Sequence, residues 1–347
     1  MINMSMSFLS TRPFILSSFN KLLRSSFVNI PEKSLLISNQ RSCNECSSVA
    51  TASTASLHTI LEQWTSKFQS LSISEPESSC SLIMAYALGE KTLYNVEKQI
   101  ILTKAQIERI NRLCQLRLSG MPVQYVIGEW DFCDITLKMK APVLIPRPET
   151  EELANLCIDS LKHKENLESG KILEIGCGTG AITLTLLNTF KNINAVSVDV
   201  SSVACELTKE NADIIGVSDR LNVIEGDFTC EKVLEELATH GPFDLIVSNP
   251  PYLRTEDINN LQTEVRCFED HHALDGGSDG MNLIKHILLK STDLLHNKGD
   301  LWLEVDPAHP QLITEFIKQS VICKSLVLDN VVKDMFGKDR FCHLQRD

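Results

Sequence analysis

An apolar run, Phe243-Asp244-Leu245-Ile246-Val247, stops abruptly at Ser248-Asn249-Pro250-Pro251-Tyr252. Bounded upstream by Gly241-Pro242, the run reads as a strand buried on both faces, the kind found in parallel sheets. Neither proline has an N–H to give to a ladder, and each restricts the residue before it, so the strand must end in a stiff turn. Open α/β sheets bind their ligands at the carboxyl ends of their strands. The turn therefore presents an amide side chain, two backbone carbonyls and an aromatic ring where a ligand is expected. That set suits a flat, neutral –NH2 group. A Pro-rich loop without chemistry has the same composition, so the rest of the chain has to decide.

From about residue 150 onward, apolar runs alternate with helical patterns, which predicts a doubly wound, largely parallel sheet. Strands are expected at Lys171–Ile175, Ala195–Val198, Leu221–Ile224, Phe243–Val247 and Leu301–Val305. Helices are expected through Ile182 and Leu187, through Leu207 and Ala212, and over Met281–Leu295. The tail from Leu326 to Leu344 is expected to close the sheet with a hairpin.

The first of these strands runs into Gly176-Cys177-Gly178-Thr179-Gly180. Glycine between a strand and a helix lets a ligand approach the backbone where a side chain would clash. The spacing is GxGxG rather than the GxGxxG of dinucleotide sites, and alone it is weak. Asp199 ends the second strand, where a carboxylate can accept both hydroxyls of a ribose. Asp227, followed by Phe228, ends the third strand at the same edge, within reach of an adenine amine. Glu174 sits at the end of the first strand, placed either to meet a cationic ligand group or to structure the loop. Acidic groups without a Lys or Arg for a pyrophosphate fit a nucleoside cofactor better than NAD. S-adenosylmethionine, with its adenine, ribose, sulfonium and amino acid, is such a molecule.

The remaining chain is organised differently. Residues 1–50 contain no Asp or Glu before Glu32, while Arg12, Lys21 and Arg24 punctuate a stretch rich in Ser, Phe and Leu, as in a mitochondrial transit peptide. Residues 55–125 are expected to form a small helical bundle: Leu57, Ile60, Leu61, Trp64 and Phe68 recur at helical spacing, and Thr103 with Gln106 makes a capping box. Residues 126–148 read as a linking hairpin and 149–347 as the sheet domain. The net charge of −12 argues against holding nucleic acid by counterion release, and no run is apolar enough to cross a bilayer. The 12 cysteines are scattered; Cys43 and Cys46 make one CxxC without a second pair, so no metal site is expected.

The combination of Glu174 to Gly180, Asp199, Gly226-Asp227 and Asn249-Pro250-Pro251-Tyr252 resembles class I S-adenosylmethionine-dependent methyltransferases that act on planar amino groups. Among them, the HemK-type glutamine N5-methyltransferases of peptide release factors are the nearest in pattern. Gly120 to Gly128 with Phe132 resembles that family's linker, and Val143-Leu144-Ile145-Pro146-Arg147-Pro148-Glu149-Thr150-Glu151 its most distinctive segment. Glu264-Val265-Arg266, Ala273 to Gly277 with Asp279-Gly280, and Asp334 to Arg340 are similar to its later motifs. Val305 to His309 departs from the family, which has a glycine-containing turn there.

The resemblance implies a Rossmann-like seven-stranded sheet behind a helical N-terminal domain, and transfer of a methyl group from S-adenosylmethionine to the glutamine of the Gly-Gly-Gln loop of mitochondrial release factors. It implies catalysis by Asn249, Pro250 and Tyr252, with the Asn249 oxygen and the Pro250 carbonyl accepting the two amide hydrogens. Cofactor binding falls to Glu174, Gly176, Cys177, Gly178, Thr179, Gly180, Asp199, Asp227, Phe228 and Asn249. Substrate binding falls to Asn249, Pro250, Pro251, Tyr252 and Arg147. With the basic leader it implies a monomer in the mitochondrial matrix that contacts neither membrane nor specific nucleic acid. N6-adenine or N4-cytosine methylation of nucleic acid is the alternative that uses the same turn.

Overall fold

The computed structural model describes residues 54–164 and 169–347. The expected leader, with Cys43 and Cys46, lies outside the described residues. Strand β1 (Ala55–Ser56) opens into α1 (Leu57–Ser70), whose first turn is capped by the Ser56 hydroxyl accepting from Thr59 N. Helix α2 (Pro76–Leu88) follows, then β2 (Ile101–Leu102), antiparallel to β1. The expected capping box of Thr103 and Gln106 starts α3 (Lys104–Leu118), and α4 (Val123–Ile127) ends at Gly128. These helices bury Trp64, Phe68, Ile83, Ile110 and Cys114 in a core of their own. The linking hairpin is β3 (Glu129–Phe132) and β4 (Ile135–Lys138); it is shorter than expected, because Pro142 and Pro146 keep the following stretch out of any ladder.

Helix α5 (Pro148–His163) enters with proline at its first position, where no intrahelical N–H is needed. The chain then alternates: β5 (Lys171–Ile175), α6 (Ala181–Thr189), β6 (Asn194–Asp199), α7 (Ser202–Ile215), β7 (Leu221–Glu225), α8 (Glu231–His240) and β8 (Phe243–Ser248). An excursion carrying α9 (Thr263–Phe268) leads to α10 (Asn282–Leu294), β9 (Leu295–Glu304), α11 (His309–Gln319), β10 (Leu326–Lys333) and β11 (Asp339–Arg346). The fifth expected strand is β9, which begins earlier than the apolar run because its first residues pass through polar His296 to Gly299. The departure at Val305 to His309 forms the approach to α11, where the Asp306 carboxylate accepts from Ala308 N.

Seven strands make one sheet in the order β10-β11-β9-β8-β5-β6-β7, parallel except where β11 runs against β9 and β10. Both faces are covered. Leu173 and Ile175 pack with Leu237 of α8 and Ile287 of α10, while Ile172, the residue before Leu173, packs on the other face with Leu153 of α5 and Leu184 of α6. That two-sided burial is why these strands are continuously apolar. Strand β5 has β6 on one side and β8 on the other, so the chain reverses direction across the sheet there and opens a crevice at the carboxyl ends. Ile175 and Ser248 are register partners, and the Ser248 hydroxyl donates to the Ile175 carbonyl at 2.6 Å. The glycine loop and the Asn249 turn therefore leave the sheet side by side. No helix among the described residues is long and apolar enough to cross a membrane.

Candidate active site

The glycine loop turns through the left-handed region at Gly176, Gly178 and Gly180, with φ of +76°, +55° and +81°. A side chain is strained in that region, so glycine is what lets the loop fold back towards β6. Gly178 N donates to Asp199 Oδ2 at 2.9 Å, and Ser201 N donates to Asp199 Oδ1 at the same distance. Burial raises the Asp199 carboxyl, against those backbone bonds, and the charge of Asp270 raises it further. Just past β7, Asp227 Oδ1 accepts from the N–H and hydroxyl of Thr229, both at 2.8 Å, and the residue is exposed.

Gly176, Gly178, Asp199, Asp227, Phe228 and Asn249 all border one cleft of about 830 Å³, counting the space at its mouth. None of the described residues that border it is Lys or Arg. An acidic, largely apolar cleft with exposed loop backbone fits a nucleoside that carries a cationic group, and does not fit a pyrophosphate. Val143 and Leu144 close one wall, and Asp270, His272 and Ala273 another. Sequence reasoning missed these as cofactor neighbours, although they lie inside or beside motifs it had singled out.

Asn249 is half-buried and borders a second, smaller cleft of about 310 Å³ with Leu144, Arg147, Pro250, Tyr252 and Leu253. Its side-chain Nδ2 donates to Thr150 Oγ1 at 3.0 Å, which leaves Oδ1 free of that bond. Thr150 Oγ1 in turn donates to Glu304 Oε2 at 2.9 Å, and the Tyr252 hydroxyl donates to Glu304 Oε1 at 3.3 Å. The turn is also braced from behind. Leu253 N donates to the Leu274 carbonyl and Gly276 N to the Leu253 carbonyl. A Cβ at Gly276 would stand 2.6 Å from the Pro251 carbonyl oxygen, and one at Gly280 would stand 2.3 Å from that of Tyr252. These two positions admit only glycine because the backbone of the Asn249 turn passes there.

Two family models match this chain: "Methyltransferase small domain" over residues 150–270 and "PrmC N-terminal domain" over residues 59–128. The human MTRF1L release factor glutamine methyltransferase is 41% identical over 294 residues, covering 83% of this chain and 86% of that protein. The release factor glutamine methyltransferase of Streptococcus pneumoniae is 31% identical, covering 81% and 96%, and that of Bradyrhizobium diazoefficiens is 30% identical, covering 79% and 89%. The chain belongs to the release factor glutamine methyltransferases. It is an S-adenosylmethionine-dependent methyltransferase.

Within this family member, several residues expected at the cofactor do not border the cleft. Glu174 is 2% exposed and its Oε2 accepts from Thr183 N at 3.1 Å, capping α6 from beneath the loop. Burial pushes its carboxyl up to about 8. Its hydrogen bond is to the first turn of α6, at the foot of the glycine loop. Cys177 is buried, with its sulfur accepting from the Thr208 hydroxyl at 3.4 Å. The Thr179 carbonyl accepts from Asn211 Nδ2 at 2.9 Å, and Gly180 is the N-cap of α6. Pro251 borders the larger cleft rather than the smaller one.

Arg147 is the N-cap residue of α5, and its Nη2 donates to both oxygens of Glu269 at 2.8 Å. It borders the smaller cleft while tied to the segment that follows α9. Glu264, at the other end of α9, accepts from Arg117 Nη2 at 2.8 Å. Arg117 is 2% exposed and also donates to Ser79 Oγ, to Met121 O and to Ser74. Glu264 thus fastens the excursion to the helical segment. Among the described residues, no group of three His, Cys, Asp or Glu is placed to hold a metal.

Proposed function

We propose that this protein methylates the side-chain amide nitrogen of the glutamine in the Gly-Gly-Gln loop of mitochondrial release factors. One observation carries the reading: Asn249 borders both clefts, and its side-chain NH2 donates to Thr150 Oγ1 at 3.0 Å. A glutamine amide nitrogen is a poor nucleophile because its lone pair is delocalised, and no side chain deprotonates it at neutral pH. The protein's task is to hold that nitrogen in line and to polarise its hydrogens. The Asn249 oxygen and the Pro250 carbonyl accept them, and both are fixed in place before the substrate arrives. Fixed acceptors favour the positive charge that develops on nitrogen, and positioning makes the step effectively unimolecular. Tyr252 and Arg147 wall the smaller cleft, Tyr252 against the amide face.

S-adenosylmethionine supplies a methyl group on a sulfonium. Asp199 accepts the ribose hydroxyls, Asp227 the adenine amine, Phe228 gives an apolar wall, and Gly176 and Gly178 let the backbone approach. Glu174, Cys177, Thr179 and Gly180 serve by holding the loop in shape. The proton leaves to solvent after transfer. Residues 55–125 are assigned to recognition of the release factor, 126–148 to linkage and 149–347 to transfer. The acid-free stretch before Glu32, punctuated by Arg and Lys, supports import into the mitochondrial matrix.

A labelled-methyl transfer assay tests the reading with a mitochondrial release factor, its Gln-substituted version and DNA side by side. Label in the first alone is the expected outcome. Label in the DNA, or equal label in the substituted factor, refutes it.

A further inference from the structure

The side-chain amide of Asn249 fits its site in two orientations that have the same shape and opposite polarity. One presents an oxygen to the substrate; the other presents an NH2 group, which repels a substrate N–H. Thr150 alone does not choose between them, because a hydroxyl both accepts and donates. The choice is made one step further back. Glu304, at the end of β9 and 1% exposed, accepts the Thr150 proton at Oε2 and the Tyr252 proton at Oε1. We propose that Glu304 is a positioning residue for methyl transfer: as a carboxylate it takes the Thr150 proton, turns the hydroxyl lone pair to the Asn249 NH2, and so keeps the Asn249 oxygen facing the substrate while holding the Tyr252 ring. The proposal rests on the methyl-transfer reading above and assigns a residue that the catalytic turn does not itself contain.

The groups facing Glu304 come from three elements. Helix α5 contributes Glu149 and Thr150, the catalytic turn contributes Tyr252, and β11 contributes Arg340. Arg340 is already engaged, with its Nε on Asp334 Oδ2 at 3.2 Å and its Nη1 on the Val305 carbonyl at 2.9 Å. Burial is the largest influence and raises the Glu304 carboxyl to about 7; Thr150 and Arg340 hold it back, Glu149 adds to the rise, and Tyr252 holds it back. The carboxyl therefore changes state close to neutrality. Once protonated it donates to Thr150, the Thr150 hydroxyl is released to donate to Asn249, and the turned-over amide becomes acceptable. Transfer is then expected to rise with pH through about 7.

The test measures kcat and KM for the release factor from pH 5.5 to 9 in the wild type, Glu304→Gln, Thr150→Val and Thr150→Ser. Glu304→Gln keeps the shape but brings its own NH2, so it stands in for the protonated acid. The expected result is a fall in kcat of roughly 10–100-fold with loss of the rising limb, less than the roughly 10²–10³ that removal of a polar partner at the reacting centre itself costs. KM and cofactor affinity stay within about threefold, Thr150→Val shows the same loss, and Thr150→Ser restores the rate. A merely structural role would lower the melting temperature or raise KM and leave the pH profile in place. Glu304→Gln with wild-type kcat and an intact rising limb overturns the proposal while leaving the function standing. A wild-type protein that transfers no methyl to the release factor brings down both.

Discussion

Around the larger cleft the chain's ties span from 2 to 32 residues and stay within β5 to the start of α8. Gly178 and Ser201 fix the Asp199 carboxylate, Thr229 fixes Asp227, and Thr183 reaches back to Glu174 from the first turn of the next helix. The Asn249 turn takes its side-chain ties from farther away, 99 residues for Asn249 and 52 for Tyr252. Asn249 depends on Thr150 at the start of α5, Tyr252 on Glu304 at the end of β9, and the backbone between them on Gly276 and Gly280. The two regions meet at Asn249, which borders both clefts together with Leu144 and Ala273. Local devices suffice to bind a small molecule that brings its own reactivity. Aiming a weak amide nucleophile requires a turn that does not shift, and long-range bracing from several elements provides it.

The sharpest way to break this division is Asn249→Ala. A cofactor affinity within about twofold of normal and a transfer rate reduced on the order of 10³-fold are expected, since a lost polar partner at the developing charge costs about 10²–10³. Equilibrium titration of S-adenosylmethionine beside single-turnover methyl transfer reads the two separately. Equal losses in both would make Asn249 a structural member of the cofactor cleft. Next in size is Gly280→Ala. The added methyl meets the Tyr252 carbonyl at 2.3 Å, in a residue whose φ is +72°, so the turn must shift. Transfer is expected to fall by roughly 10²-fold, because small misplacements of reacting groups are costly. Cofactor affinity stays near normal, because Gly280 borders neither cleft.

Asp199→Ala probes the other side. Loss of both its backbone contacts and its ribose acceptors is expected to weaken the cofactor by about 10–100-fold in Kd, about 1.4–2.8 kcal/mol. At saturating cofactor the transfer rate recovers to within about threefold. A variant that binds the cofactor normally would remove Asp199 from the site.

The same contrast explains what the sequence revealed. The glycine loop, Asp199, Asp227 and the proline turn were legible because each is a local pattern: a strand, a stop and a few residues of fixed type. The strands were legible too, because burial on both faces makes them uniformly apolar. Helix α8 was not: it is short, with only Val233, Leu234 and Leu237 buried. Helix α11 was not either, with His309 and Ile313 alone buried along it. Glu304 carries no local signal at all, since a glutamate closing an apolar strand acquires its role only when α5 and the catalytic turn are brought against it. Arg117 is the same kind of case; Glu264 lay in a recognisable motif, but its partner was hidden until the helical segment packed against the excursion.

The smallest effect expected lies beneath the glycine loop and sharpens the claim that Glu174 serves the fold. Burial raises its carboxyl to about 8, against about 4.5 for the unfolded chain. Between those values the folded protein holds a proton that the unfolded chain releases, so the native state is favoured at low pH and loses that advantage as pH rises through about 8. Glu174→Gln removes the titration and keeps a carbonyl for Thr183 N. The melting temperature of the wild type should therefore fall from pH 6 to 9 by a few degrees more than that of the variant, on the order of 2–4 °C per kcal/mol of difference. Glu304 titrates in the same window and is present in both proteins, so it cancels in the difference. Parallel curves would place the Glu174 carboxylate in a setting where its charge is tolerated, and would return it to the candidates for direct contact with the sulfonium. A converging pair, with cofactor affinity unchanged in the variant, leaves it beneath the loop as the cap of α6.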